Sequence, residues 1–306
     1  MKKAFIVLNP VAGQSEPEEL EAAIAEHARQ HDWDCHLHHT AEEEPLDEII
    51  SRAQEEGYEL FVAGGGDGTV SAVASALAGT GVTMAILPVG TGNVLARDLG
   101  IPTEPEEALE VAFGRHKVLN LDGLRSNDRL FLLNVSAGPI ADTMRDVSSD
   151  EKRRFGIAAY LAEGIGKFAG HNRRRFLVSV DGKDYSFNAS EAVVLNSPAF
   201  GGPNLTLDPD TRVDDGRVEV YLLRMKTLGD YVRLAWKALL SPGTRSPAFQ
   251  HFVARETVSI APDPPLPVQG DGDYIGQTPI EMRVLPGAVK VAVPIPEEDG
   301  KMSEEE

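Results

Sequence analysis

The stretch that decides the fold is Leu60-Phe61-Val62-Ala63-Gly64-Gly65-Gly66-Asp67-Gly68-Thr69-Val70, an apolar strand that runs into glycines. Because glycine lacks a Cβ atom, backbone N–H groups in this loop can approach an anion closely, and a helix beginning near Thr69 adds its positive dipole end. The pattern predicts a nucleotide phosphate site. Asp67 would repel a phosphate unless a cation or a directed hydrogen bond intervenes, so it indicates a Mg²⁺-nucleotide or an ordered polar network. A glycine-rich turn built only for packing has no use for that carboxylate.

Two familiar phosphate motifs do not fit this loop. It contains no Gly-Lys-Ser or Gly-Lys-Thr, so it is not a P-loop. The G-x-G-x-x-G register that starts at Gly64 reaches Thr69 where the third glycine should stand. A Rossmann dinucleotide site is therefore not expected.

The first third of the chain alternates short apolar strands with amphipathic helical patterns, which predicts an α/β domain with a parallel sheet covered on both faces. The predicted strands are 4–8, 35–39, 60–63 and 84–87, and the predicted helices are 16–30, 46–56, 71–78, 93–99 and 106–113. Three loops, at 9–13, 64–69 and 88–93, each follow a strand. They should therefore lie together at the carboxyl edge of the sheet, where ligands bind in such folds.

Beyond Asp122 the pattern changes to period two, which predicts a C-terminal antiparallel β-sandwich. Its predicted strands are 130–135, 175–180, 185–188, 192–195, 218–223 and 257–261, with a hairpin turn at Asp181-Gly182 and helices near 153–168 and 231–240. The predicted domains are 1–122, completed by a returning strand in 289–296, then the sandwich at 123–288, and an acidic disordered tail at 297–306.

Composition limits the classes of partner. The formal charge is −19, from 48 acidic and 29 basic residues among 306, which argues against nucleic acid and against general adhesion to anionic membranes. Cys35 is the only cysteine, so a reducing cytoplasm is expected. No apolar stretch is long enough to span a bilayer. The eight histidines show no spacing that suggests a metal-ligand set.

Five motifs in order resemble the diacylglycerol kinase catalytic family, which includes bacterial lipid kinases and is related to sphingosine kinases. The motifs are Asn9 to Gly13, Gly65 to Thr69, Pro88 to Asn93 with Ala96-Arg97 and Gly100-Ile101-Pro102, Asp214-Asp215-Gly216, and Asp271-Gly272-Asp273. The resemblance spans nearly the whole chain. It implies ATP-dependent phosphorylation of a lipid hydroxyl, with ATP and Mg²⁺ in a cleft between an α/β domain and a β-sandwich.

The same resemblance implies roles for individual residues. It makes Asp271 the general base, joins Asp67, Asp122 and Asp273 in a polar network, and places a structural Mg²⁺ at Asp215 with the carbonyls of Arg212 and Arg217. The alternative for the turn at Asp215 is an ordinary hairpin turn that binds no metal. The residues implied to bind nucleotide are Asn9, Gly65, Gly66, Asp67, Gly68, Thr69, Gly90, Thr91 and Asn93.

Two residues depart from the family pattern and keep alternatives open. Asp273 stands where the family usually carries glutamate, and Val94 where many members have aspartate. These departures leave open a nucleotide-binding regulator that has no kinase turnover. Other enzymes are also alternatives: NAD kinase, a phosphofructokinase-type sugar kinase or a kinase for a sphingoid base. The basic segment 152–175 is interpreted either as a peripheral contact with the inner membrane face or as a helix packed on the sandwich. The oligomeric state and the lipid substrate are not predicted.

Overall fold

The N-terminal half of the protein is an α/β unit. The computed structural model describes residues 2–9, 17–41, 45–146, 173–199, 206–225, 227, 229–230 and 249–296, and for 143–146 the backbone alone. The elements of this half are β1 (Lys2–Leu8), α1 (Pro17–Gln30), β2 (Trp33–His39), α2 (Leu46–Glu55), β3 (Leu60–Gly65), α3 (Asp67–Leu77), β4 (Thr83–Pro88), α4 (Val94–Asp98) and α5 (Pro105–Phe113). Strands β2, β1, β3 and β4 pair in that order and all in parallel. Every residue of β3 is buried, as expected for a strand covered by helices on both faces.

The second half is an antiparallel β-sandwich with one described helix. Its elements are β5 (Lys117–Ser126), β6 (Arg129–Phe131), β7 (Asn134–Ala137), α6 (Pro139–Asp146), β8 (Arg174–Val180), β9 (Lys183–Ala189), β10 (Glu191–Leu195), β11 (Val218–Leu223), β12 (Phe249–Ala254), β13 (Thr257–Asp263), β14 (Pro267–Gly270), β15 (Asp273–Gln277) and β16 (Ile280–Val293). One layer has the strand order β12, β11, β10, β7, β14, β15. The other contains β16, β13, β8 and β9, and the buried side chains between the layers include Val194, Val220, Phe176 and Met282.

Strand β16 belongs to both halves. Its first residues pair antiparallel with β13, whereas Lys290 and Val291 pair in parallel with Thr83 and Met84 of β4. Along most of its length it also pairs with β5, with an irregularity between Leu285 and Val289. The α/β sheet and one layer of the sandwich are therefore a single hydrogen-bonded sheet.

The structure corrects two local predictions. The predicted strand 130–135 is divided: β6 pairs with β5, whereas β7 lies in the other layer. Helix α3 begins at Asp67 rather than near Thr69, directly after the last glycine of the loop. The division has a physical cause, because the backbone N–H groups of Leu132 and Leu133 bind a carboxylate instead of a neighbouring strand.

Several sequence predictions concern residues outside the described ranges. They are the helices at 153–168 and 231–240, most of the basic segment 152–175, residues 10–13 of the first loop, and the acidic tail 297–306. Within the described ranges, no helix has the length and apolarity needed to cross a membrane.

Candidate active site

The glycine loop joins β3 to α3 without an intervening turn. Gly66 is the N-cap of α3, and a Cβ atom on Gly65 would lie 2.3 Å from Oγ1 of Thr69, so only glycine fits there. A Cβ atom on Gly68, in contrast, would contact nothing within 4 Å, and Gly68 is exposed. The N-terminus of α3 therefore directly follows the glycines, and helix N-termini present unpaired N–H groups that bind phosphate oxygens.

A second loop, which follows β4, packs directly on the first. A Cβ atom on Gly90 would lie 2.4 Å from Cα of Gly66, so the two loops touch backbone to backbone. Asn9 contributes from the end of β1: its backbone N–H donates to the carbonyl of Gly64 (2.8 Å), and its Nδ2 lies 3.5 Å from Oγ1 of Thr69. Thr91 is exposed at the tip of the second loop. The second and third predicted loops thus meet at one sheet edge, together with Asn9, the one residue of the first loop that the structure describes.

Asp67 and Asn93 fix the two loops to each other. Oδ1 of Asp67 accepts a 2.7 Å hydrogen bond from the backbone N–H of Val94, and burial raises the pKa of Asp67. Asn93 adopts a left-handed conformation (φ 49°), and its Nδ2 donates to the carbonyls of Pro88 (2.9 Å) and Gly90 (2.7 Å). The amide of Asn93 therefore shapes its own loop. The contact made by Val94 uses only its backbone, so the absence of an acidic side chain there does not remove it.

Asp271 lies at the turn between β14 and β15. Its Oδ2 accepts from the N–H of Leu132 (2.8 Å), and its Oδ1 accepts from Leu133 (2.9 Å) and Asn134 (3.0 Å). Burial raises the pKa of Asp271 to about 6 despite these three donors, and the charge of Asp67 raises it further. Three backbone N–H groups before and at the start of β7 therefore hold this carboxylate in place.

The buried side-chain amide of Gln269 stabilises the Asp271 turn, and the sequence motifs did not indicate this residue. Nε2 of Gln269 donates to Oδ1 of Asn134 (2.7 Å) and to Oγ of Ser136 (2.9 Å). Its Oε1 accepts from the backbone N–H of Gly272 (2.9 Å). Gln269 is 2% exposed and Ser136 is fully buried. A polar residue inside the otherwise apolar Leu266 to Gly270 strand was the only signal in the sequence.

The segment that holds Asp271 also contacts the helix that begins at the glycine loop. The backbone N–H of Leu130 donates to Oγ of Ser75 (3.3 Å), and the hydroxyl of Ser71 donates to the carbonyl of Leu130 (3.5 Å). A second bridge joins Ser197, which follows β10, to the carboxylate of Asp98 in α4. Contacts from both halves of the molecule therefore join the phosphate-type loops to the segment that holds Asp271.

Asp122, which the resemblance joins to Asp67 and Asp273 in a polar network, lies beside the Asp215 turn. The carboxylate of Asp122 is 2% exposed and accepts from the N–H of Gly216 (2.6 Å) and Gly287 (2.8 Å). Burial raises the pKa of Asp122, as do the charges of Asp215 and Asp214. Asp273 lies exposed at the start of β15.

The Asp215 turn has one feature of a cation site and one that opposes it. Oδ1 of Asp215 is buried and has no hydrogen-bond partner among the residues the structure describes. Its Oδ2, however, is 2.8 Å from Nε of Arg217, which already supplies positive charge. The other arginine points away, because Nε of Arg212 donates to Oδ1 of Asp214 (3.1 Å). The free oxygen fits a hard cation such as Mg²⁺, which prefers oxygen ligands.

The α/β unit with its glycine-rich loops and the antiparallel sandwich together define a phosphotransferase of the class that combines these two domains. Comparisons with known proteins agree with this class. The diacylglycerol kinase catalytic domain model matches residues 3–122, and the YegS C-terminal NAD kinase beta sandwich-like domain model matches residues 134–293. The chain belongs to the diacylglycerol kinase catalytic domain family, which is a family of lipid kinases.

Relatives cover nearly the whole chain. A protein of Pseudomonas aeruginosa named probable lipid kinase YegS-like is 31% identical over 95% of this chain and 94% of its own. The diacylglycerol kinase of Bacillus subtilis is 26% identical over 96% of this chain and 97% of its own. A crystal structure of a Bacillus anthracis diacylglycerol kinase covers 95% of this chain and 97% of that chain at 23% identity, with a TM-score of 0.73, so it supports the fold. Another crystal structure from that organism covers 95% of both chains at 25% identity, with a TM-score of 0.79.

Proposed function

We propose that the protein transfers the γ-phosphoryl group of Mg²⁺-ATP to a hydroxyl of diacylglycerol or a related lipid. The observation that carries this proposal is that the 130–134 segment, whose N–H groups hold Asp271, is also hydrogen-bonded to α3, the helix that begins at the glycine loop. Phosphoryl transfer requires an acceptor oxygen in line with the γ-phosphorus, compensation of charge on the phosphoryl oxygens, and a group that takes the hydroxyl proton. The cleft offers a residue or a loop for each requirement.

The glycine loop and the first turn of α3 supply the phosphate site. The exposed Gly68 and the open space above it leave room for a triphosphate against the helix N-terminus. Thr69 and Asn9 stand beside this space, and Thr91 stands on the second loop. When bound, Mg²⁺ neutralises charge on the transferring phosphoryl group. We assign the Asp215 turn to a structural cation held by the free Oδ1 of Asp215 and the carbonyls of Arg212 and Arg217.

Asp271 is the proposed general base. A carboxylate has about four lone-pair directions, and three of these accept backbone N–H groups here, so Oδ2 keeps one for a substrate hydroxyl. With a pKa of about 6, the group is ionised at pH 7 yet accepts a proton readily. As the lipid oxygen bonds to the γ-phosphorus and the bond to the β-phosphate oxygen breaks, the hydroxyl proton passes to Oδ2 of Asp271 and ADP leaves.

A test offers several acceptors side by side. Purified protein, Mg²⁺ and labelled ATP are incubated with mixed micelles of diacylglycerol, sphingosine or phosphatidylglycerol, and separately with NAD and fructose 6-phosphate, and the products are separated by thin-layer chromatography. Label in phosphatidic acid is the expected result. Label in NADP or a sugar bisphosphate would replace the lipid assignment by one of the other kinases. ATP binding without any labelled product would favour the regulator instead.

A peripheral membrane contact through 152–175 is a proposal from the sequence alone. A vesicle-flotation assay tests it. Wild-type protein should float with anionic vesicles. A variant in which glutamine replaces Arg173, Arg174 and Arg175 should float less. Equal flotation of both proteins would contradict the proposal.

A further inference from the structure

Three metal-ligating side chains meet on the outer face of the sandwich layer that contains β11 and β12. They are Asp208, Glu219 and His251, and one ligand atom from each lies within 4.8 Å of the other two. They come from a loop and from two neighbouring strands. None of the five family motifs includes them, and the spacing of the histidines in the sequence predicted no metal-ligand set. We propose that these three residues bind a divalent transition-metal ion of the Zn²⁺, Co²⁺ or Mn²⁺ class.

Glu219 is the strongest single reason for a cation at this position. It is 5% exposed although it is charged, and burial of a carboxylate is costly unless cations or hydrogen bonds compensate it fully. Asp208 brings a second carboxylate to the same place, and two adjacent negative charges destabilise each other. The nearest permanent positive charge is the guanidinium of Arg217, whose Nε is 3.6 Å from Oε1 of Glu219 and is shared with Asp215 at 2.8 Å.

The ligands are also held in place by neighbouring groups, as is usual around metal sites. The ring of Tyr221 stacks on that of His251, with centroids 4.7 Å apart and planes at 16°, and these residues are register partners across β11 and β12. The hydroxyl of Tyr221 donates to Oδ2 of Asp208. Oδ1 of Asp208 accepts from the backbone N–H of Asp210 (2.9 Å). Nε2 of His251 contacts Oε2 of Glu219, a contact that a metal ion would replace.

The donor set indicates which ion binds. An imidazole nitrogen with two carboxylate oxygens is typical of Zn²⁺ and its neighbours, whereas Mg²⁺ and Ca²⁺ favour oxygen alone. His251 is exposed, so water can complete the coordination sphere. In the strand order, β7 and β10 separate β11 and β12 from β14, which carries the Asp271 turn, so this ion would be structural and distinct from the Mg²⁺ of phosphoryl transfer.

The test is equilibrium dialysis of the full chain against Zn²⁺ in the presence of millimolar Mg²⁺, which occupies hard-cation sites. Wild-type protein should bind one Zn²⁺ per chain and gain thermal stability, and Co²⁺ should give a visible ligand-field absorption. His251→Gln should weaken Zn²⁺ binding at least about tenfold, and Asp208→Asn, in a loop, should act likewise. His31→Gln is the matched control, since His31 pairs with Glu110 at 2.9 Å without a third ligand, and should bind Zn²⁺ as wild type does.

The outcomes separate this site from the proposed kinase site. Lipid phosphorylation with Mg²⁺ should be unchanged in His251→Gln, and Asp215→Asn should retain Zn²⁺ binding. Absence of saturable binding of Zn²⁺, Co²⁺ and Mn²⁺ overturns the proposal, as does equal binding in wild type and in both His251→Gln and Asp208→Asn. Because binding is measured without ATP or lipid, failure of the kinase assignment leaves this result intact.

Discussion

Two aspartates of the sandwich, Asp181 and Asp271, use the same local structure in different surroundings. Each adopts a left-handed conformation (φ 47° and 49°), precedes a glycine with positive φ, and accepts hydrogen bonds from three consecutive backbone N–H groups of another segment. For Asp181 the donors are Arg255, Glu256 and Thr257.

Their ionisation differs in direction. Burial acts to raise the pKa of Asp181, but the three donors outweigh it and hold that pKa below its usual value. At Asp271 burial outweighs the donors and raises the pKa to about 6, and the charge of Asp67 adds to the effect. One motif therefore gives a structural carboxylate at an outer hairpin and a potential proton acceptor in the cleft, and the surroundings alone decide which.

The largest expected difference between the two turns is in catalysis. Asp271→Asn should lower kcat for lipid phosphorylation by at least about 10²-fold, because it removes the proton acceptor. Asp181→Asn should keep kcat within about twofold and cost at most about 1 kcal/mol of stability, because its amide oxygen still accepts at the Oδ1 position and only the second contact with Arg255 is lost. Steady-state kinetics and thermal unfolding of both variants measure this. Equal loss of activity in both would mean that Asp271 acts only on the fold.

Removal of the amide behind Asp271 should have the next largest effect. Gln269→Leu frees the turn and the Asn134 side chain, so kcat should fall about 10- to 100-fold while KM for ATP stays constant. The apparent pKa of the rate profile should also move. Thr278→Val is the control, since it removes a buried hydroxyl bonded to Leu266 in the same hairpin. A comparable fall in kcat for Thr278→Val would assign the loss to general destabilisation.

The pH dependence of the rate should report Asp271 and not Asp181. The rate should be constant above about pH 7 and fall about tenfold per pH unit below a pKa of about 6, as Asp271 becomes protonated. Stability should show the opposite signs at the two turns. The lowered pKa of Asp181 contributes stability above pH 4 that is lost as the solution becomes more acid. The raised pKa of Asp271 costs stability as pH rises from about 4 through 6. A rate profile that is flat down to pH 5 would contradict the assigned base.

The smallest expected effect comes from the glycines that follow the two aspartates. Gly182 (φ 75°) and Gly272 (φ 91°) both have open space where a Cβ atom would lie, so alanine at either position costs backbone strain alone, about 1–2 kcal/mol. Gly272→Ala should lower kcat several-fold, since it moves the turn of the general base. Gly182→Ala should not. Calorimetry and kinetics on this pair show whether strain reaches the cleft, and indistinguishable kinetics would show that it does not.

The parts of the fold predicted from sequence are those specified by neighbouring residues. The Leu60 to Val70 stretch contains its own strand, turn and helix start, and the alternation of strands and helices around it gave the parallel sheet. The hairpin at Asp181-Gly182 was likewise local, because an aspartate and a glycine together permit the left-handed turn.

Contacts between distant residues were not predictable in the same way. Asp271 bonds to Leu132, which is 139 residues away, and this contact divides the predicted strand 130–135. The contacts of Asp122 were not predictable, because its partners, Gly216 and Gly287, come from two later turns that have no signal at Asp122 itself. Gln269 and the cluster around His251 become meaningful only when strand register is known, since a single side chain carries no information about the neighbouring strand.

Strand β16 has a mechanical consequence for the cleft. It is hydrogen-bonded to the sandwich through β13 and to the α/β sheet through β4. In its irregular central part, the backbone N–H of Gly287 donates to the carboxylate of Asp122. The two halves therefore share a strand and are not joined by a flexible linker. Any separation of the halves requires β16 to twist. We therefore expect the proposed nucleotide exchange to involve small rotations of the halves and not a large hinge motion.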